Sequence, residues 1–278
     1  MNVFDDRICA LGEGPLWHPI RKQLFWFDIL GKRLLSQTGN DPMEWQFDEH
    51  VSAAGWVDHD TLLIASETGL SRFDLTSGET TWLVGLETEN ETTRSNDGRA
   101  DTHGGFWIGT MGKNAEAGAG AIYRFYRGQV EKLYSDISIS NAICFSPDGN
   151  FAYFTDTSTQ IVRRQPLDGE GWPKGAATDF VDLGRDGLYP DGAVADAQGC
   201  LWVAQWGGGR VARHGPNGAF LSAVSFPASQ VTCPAFGGAD LGTLYVTSAA
   251  VGLDEPQGGK LFSVPVAISG QAEHQVVL

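Results

Sequence analysis

"YPDGAVADAQGCLWVAQ" spans Tyr189–Gln205, and "SNAICFSPDGNFAYFTD" spans Ser140–Asp156. Each reads as a polar residue, a small apolar stretch, a turn and a hydrophobic strand. Aligning them on that pattern brings out four more copies: "EGPLWHPIRKQLFWFDI" from Glu13, "AAGWVDHDTLLIASE" from Ala53, "NDGRADTHGGFWIGT" from Asn96 and "TCPAFGGADLGTLYVTS" from Thr232. The heads Glu13, Ala53, Asn96, Asn141, Asp191 and Thr232 recur every 40 to 50 residues. The turns are rich in Gly, Asp, Asn and Pro, and the strands after them (LFWF, LLIA, FWIG, FAYFT, LWVAQ, LYVTS) in aromatic and β-branched residues. Further strand candidates follow, such as "GLSRFDL", "AIYRFYR" and "GRVARHG".

Units of four strands at this period predict an all-β fold, a six-bladed β-propeller with four-stranded blades. No GH…WD pair is present, so this is not a WD40 array. No linker interrupts the repeats, and residues 1–278 read as a single propeller domain. "FDDRICA", before the first head, is expected to supply the outer strand of the last blade and so cover a sheet edge.

Hydrophobic residues make up 42% and charged residues 19%, an ordinary globular composition. A net charge of -15 argues against nucleic acid, which needs a basic stripe. No apolar run approaches membrane-spanning length, and "MNVFDDRICALGEG" has no apolar secretion-signal core. Cys9, Cys144, Cys200 and Cys233 are scattered without a CxxC pair, so neither a zinc cluster nor a disulfide framework is expected. The expectation is a reduced, cytoplasmic compartment, with the chain acting as a monomer or weak oligomer.

In a propeller the innermost strands line a central channel, so equivalent residues of all six copies point into it at similar height. Two carboxylates and two carboxamides would then meet at one end. Two anions in a narrow, partly dry tunnel repel unless neutralised, and a divalent cation is the natural neutraliser. Carboxylate and amide oxygens suit Ca²⁺, Mg²⁺ or Mn²⁺ and do not exclude Zn²⁺ or Fe²⁺. So small a ligand set leaves positions open for water and substrate. The alternative is a scaffold whose polar heads are solvated by channel water or bond to neighbouring blades.

"LGEGPLWHP", "RSNDGRADTHGGFWIGTM", "SNAICFSPDG", "YPDGAVADAQGCLWVAQWGGGRV" and "VTCPAFGGADLGTLYVTSA" together resemble the SMP-30/gluconolactonase/regucalcin family over nearly the whole chain. That resemblance implies a six-bladed propeller that hydrolyses sugar lactones with one divalent metal. It implies Glu13, Asn141 and Asp191 as metal ligands and Arg94 and Asn96 as substrate-binding residues. Some members carry a substrate-contacting Glu at the level of Asn114, where this chain reads "GTMGKNAEAGAG", with Lys113 and Asn114. Asn114 is therefore a candidate substrate-binding position, and the sugar preference stays open.

A sugar lactone offers an electrophilic carbonyl and several hydroxyls. Asp191 is the candidate general base, with pure ligation as its other role. Arg94 suits hydroxyls or a carboxylate product, against a surface ion pair with Glu91 or Asp97. Arg185, in the loop before Asp191, is a further candidate donor over the channel, with a solvated loop arginine as the favoured reading. There is no GxSxG elbow and no HExxH spacing. "WGGGR" follows a strand without a helix start and is no phosphate cradle. Trp26, Trp107 and Trp202 read as inter-blade core. Two readings of different class remain: a metal-dependent lactonase, and a non-catalytic metal-binding or protein-recognition propeller. A third keeps the metal and changes the ester. The expected substrate is a five- or six-membered aldonolactone.

Overall fold

The computed structural model describes residues 1–39 and 41–278, and these form six four-stranded antiparallel sheets. The inner strands are Gly12–His18, Val51–Trp56, Thr93–Ala100, Ser140–Phe145, Tyr189–Ala195 and Val231–Gly237. Each inner strand packs against the next, and the sixth packs against the first, closing a ring. The chain is a six-bladed β-propeller. Its helical content among the described residues is two short 3₁₀ turns, Thr157–Thr159 and Gly184–Asp186.

The turns after the inner strands show why the repeat is rich in Asp. Asp101 Oδ1 accepts from the amides of His103 (2.8 Å) and Gly105 (3.0 Å). Asp196 Oδ1 accepts from Gln198 (2.9 Å) and Cys200 (3.0 Å). A short carboxylate thus satisfies backbone donors that a tight reversal leaves free.

Six apolar clusters lie one at each junction between neighbouring blades. Trp107 meets Phe145 edge-on at 5.6 Å across the junction of blades three and four, and Trp202 meets Phe236 likewise at 5.6 Å between five and six. Trp26 packs where blades one and six meet. Burying one such aromatic contributes about 1.5–3 kcal/mol, so the ring is held by its wedges rather than by a single central core.

The outer strand of the sixth blade comes from the start of the chain, where Asn2–Asp5 pairs with Leu261–Pro265. The expected closure is present, shifted a little earlier than "FDDRICA". All four cysteines are free and buried. No helix among the described residues is long and apolar enough to cross a membrane.

Candidate active site

Every inner strand breaks register with its neighbour near its start. In blades one, three, four, five and six the breaks lie between Glu13 and Leu16, Ser95 and Gly98, Asn141 and Cys144, Pro190 and Ala193, and Val231 and Pro234. Each is a bulge, which re-aims side chains that strict alternation would send elsewhere. Two bulges need left-handed backbone: Gly14 has φ +52° and Ala142 has φ +57°, each directly after a head. A Cβ on Gly14 would stand 2.3 Å from the Ser52 carbonyl oxygen, so only glycine fits.

Blade two differs. Its break runs from Val51 to Ala53, and the residue in it is Ser52. Ser52 Oγ donates to Ser95 Oγ at 2.8 Å, while Ala53 packs in the core between blades two and three. The repeat alignment had selected Ala53. The shorter bulge displaces the true equivalent by one residue.

Glu13, Asn96, Asn141 and Asp191 converge with Arg94 on one pocket of about 230 Å³. Thr157 adds a hydroxyl to its lining, and Leu11, Met111, Ile139 and Trp206 give it apolar walls. Thr232 is not part of it. Its hydroxyl bonds to the Gly12 carbonyl (2.5 Å) and to Thr247 (2.7 Å), tying blade six to blade one.

A directional chain of hydrogen bonds sets the side chains. Arg94 Nη1 donates to Asn96 Oδ1 at 2.7 Å. Asn96 Nδ2 donates to the Ser140 carbonyl (2.8 Å) and to Asn141 Oδ1 (3.2 Å). Asn141 Nδ2 donates to Thr157 Oγ1 at 2.9 Å, and that hydroxyl spends its only proton on the Pro190 carbonyl at 2.7 Å. Thr157 must therefore accept from Asn141, so the amide nitrogen is on its side and Oδ1, bonded to Asn96 through one lone pair, keeps the other for a ligand.

The electrostatics are unbalanced. Burial, then the nearby Asp97 carboxylate, pushes Glu13 up to about 8. Asp191 is raised well above its ordinary value by burial, then by Glu13 and Asp97. Burial pushes Asp97 up to about 6, tempered by Arg99. Burial lowers Arg94 to about 10, opposed by Glu13, Glu67 and Asp191. Among the described residues, neither Glu13 nor Asp191 has a cationic side chain within ion-pair distance. No cluster of three His, Cys, Asp or Glu among them suits a metal ion, and the Asn141 amide is a further oxygen donor beside the two carboxylates. Two dry, mutually repelling carboxylates and a fixed amide oxygen are a hard-oxygen donor set that fits a divalent cation.

The structure separates other expected residues from the pocket. Asn114 is exposed, and its Nδ2 donates to Glu116 at 2.9 Å. Lys113 Nζ pairs with Glu67 at 2.9 Å. Arg185, on the turn Gly184–Asp186, pairs with Asp182 at 3.1 Å and lines a different groove with Phe180 and Arg210. Arg94 pairs with neither Glu91 nor Asp97 but lies buried in the pocket. Thr157 and Asp97 were missed. Asp97 follows a head directly in "RSND", the one signal that pointed to it.

The family model described as SMP-30/gluconolactonase/LRE-like region matches residues 11–250. The L-arabinolactonase of Azospirillum brasilense is 37% identical over 280 residues, covering 95% of this chain and 91% of the relative. The 6-deoxy-6-sulfogluconolactonase of Pseudomonas putida is 35% identical over 276 residues, covering 95% and 94%. Among solved structures, the calcium-binding protein regucalcin of Agrobacterium tumefaciens superposes with a TM-score of 0.97 at 40% identity, covering 99% of this chain and 97% of that one. By the match over most of its length and by these relatives, the chain belongs to the SMP-30/gluconolactonase/LRE-like family.

Proposed function

We propose that the protein is a divalent-metal-dependent lactonase that opens an aldonolactone to its aldonic acid. The observation that carries this is the convergence of Glu13, Asn141 and Asp191 with Arg94 and Asn96 on one pocket. The names of two relatives, an L-arabinolactonase and a 6-deoxy-6-sulfogluconolactonase, support a sugar lactone as substrate. The regucalcin likeness supports a bound cation.

Glu13 and Asp191 would hold the ion through carboxylate oxygens and Asn141 through Oδ1. A divalent ion bound there supplies Lewis acidity toward the ester carbonyl and positive charge for the oxyanion. Asp191 accepts the proton of the attacking water as its oxygen bonds to the carbonyl carbon. The ring C–O bond then breaks, and the proton passes to the leaving ring oxygen. Arg94 and Asn96 orient the substrate hydroxyls, and Arg94 receives the nascent carboxylate. The apolar wall of Leu11, Met111, Ile139 and Trp206 suits the C–H face of a small ring and limits water at the reacting carbon.

A panel of pentono- and hexonolactones, assayed with and without chelator, tests the reading. Hydrolysis should vanish on stripping and return when one divalent ion is added back. Full activity in rigorously metal-free protein would overturn it, as would a clear kcat/KM preference for long-chain acyl lactones or phosphotriesters.

A further inference from the structure

The last residues of the chain run across the far end of the channel. Trp56 Nε1 donates to the Glu273 carbonyl (2.8 Å), Val276 N to the Trp56 carbonyl (2.9 Å) and Gln271 Nε2 to the Phe145 carbonyl (2.7 Å). Trp56 and Phe145 are the final residues of their inner strands, and the second of these strands carries Asn141 of the pocket near its start. Val276 is buried in the core between blades two and three. The segment is therefore built into the floor of the ring.

From this floor Glu273 forms an ion pair with Arg99, and both side chains are largely buried. Asp97 stands between Asn96, which lines the pocket, and Arg99 on one inner strand, and its carboxylate bonds to the Ile143 amide two residues beyond Asn141. Yet Asp97 has no cation within ion-pair distance among the described residues. Its Oδ2 accepts the Ile143 amide, at 2.6 Å. Arg99 Nε is buried without a partner, so the guanidinium retains a donor that Glu273 does not use. An arginine released from Glu273 would have the unpaired Asp97 carboxylate two residues away on its own strand.

We propose that Glu273 is a positioning residue for the cation site: it holds Arg99 away from Asp97, leaving Asp97 an unneutralised anion behind Glu13 and Asp191. A dication at the pocket is attracted by all three carboxylates, although Asp97 need not touch it. Losing the Glu273 charge both adds a net positive charge beneath the site and frees Arg99 to cancel Asp97. This rests on the cation-binding reading given above.

The test is calorimetric titration of Mn²⁺ into chelator-stripped protein, with circular dichroism to establish folding. In folded Glu273→Gln the Kd for Mn²⁺ should rise by about tenfold, the scale on which supporting residues act on metal sites. Glu273→Asp should stay within about twofold of wild type, because it retains the charge. The decisive variant is Arg99→Met with Glu273→Gln, which removes the freed cation and should return the Kd to within about twofold of wild type. A purely structural role predicts the opposite, an unchanged Kd in the folded single variant or a double variant as weak as the single. Either result overturns the proposal. Should Glu273→Gln not fold, Asp97→Asn takes its place: a similar loss of Mn²⁺ affinity supports the proposal and an unchanged one overturns it. Wild-type protein that binds no divalent ion would instead sink the cation site itself, and the proposal with it.

Discussion

Asn141 and Thr157 share a 2.9 Å hydrogen bond whose direction is set by a third group, the Pro190 carbonyl that takes the Thr157 proton at 2.7 Å. The threonine stands on the turn that follows the second strand of blade four, and Pro190 immediately precedes Asp191. One hydroxyl thus couples two of the three proposed ligands. In Thr157→Val the amide of Asn141 loses its acceptor and is free to rotate. Metal affinity or kcat should fall by about 10–100-fold, whereas Thr157→Ser keeps both bonds and most of the activity. Metal titration of the two variants separates the hydroxyl from the methyl.

Asp191 and Arg94 should fail in different ways. Asp191→Ala removes a proposed ligand and base together, so turnover should be lost and metal binding weakened with the fold intact. Arg94→Ala should mainly raise KM, since it removes a contact to substrate rather than to the cation. If Arg94→Ala released the metal, the two roles would have to be exchanged.

Gly14 carries the sharpest backbone requirement at the site. Its φ of +52° disfavours any side chain, and a Cβ would meet the Ser52 carbonyl oxygen at 2.3 Å. Gly14→Ala should cost roughly 1–3 kcal/mol of stability from the left-handed backbone alone. It should also shift Glu13, so activity should fall further than the drop in Tm explains. Thermal melts paired with assays at a temperature where the variant is folded make the comparison.

His18 gives a pH dependence with a definite sign. Burial lowers its pKa below the ordinary 6.5, and its Nε2 lies 2.9 Å from the Asp58 carbonyl. Below 6.5 the unfolded chain takes a proton that the folded one refuses, so stability from this residue is lost as pH falls. The raised carboxylates of Glu13, Asp97 and Asp191 act in the opposite direction, so the wild-type profile alone is uninformative. The comparison with His18→Gln cancels them. Its stability relative to wild type should improve between pH 7.5 and 5.5, and an unchanged difference across that range would refute the assignment.

The parts of the fold readable in the sequence were those repeated in it. Glu13, Asn96, Asn141 and Asp191 could be selected because six copies of one strand-turn-strand pattern place their heads around one axis. The same alignment missed at blade two, where a shorter bulge puts Ser52 rather than Ala53 in the break; a bulge length leaves no compositional trace. Thr157, Arg99 and Glu273 were not legible as members of the site, because each belongs to it through contacts between distant segments. Arg185 shows the converse. Sequence proximity to Asp191 suggested a place at the pocket, but the 3₁₀ turn carries the side chain to Asp182.

The pairing of Asn2–Asp5 with Leu261–Pro265 also bears on how the molecule comes to be made. The first of these strands is made long before the partner it pairs with. Until then the growing chain holds blades with open edges and an arc that has not met its own beginning. Contacts so distant in sequence form slowly, and exposed edges invite pairing with other chains. Production of the protein should therefore be limited less by the strength of the finished ring than by the protection of its unfinished arc.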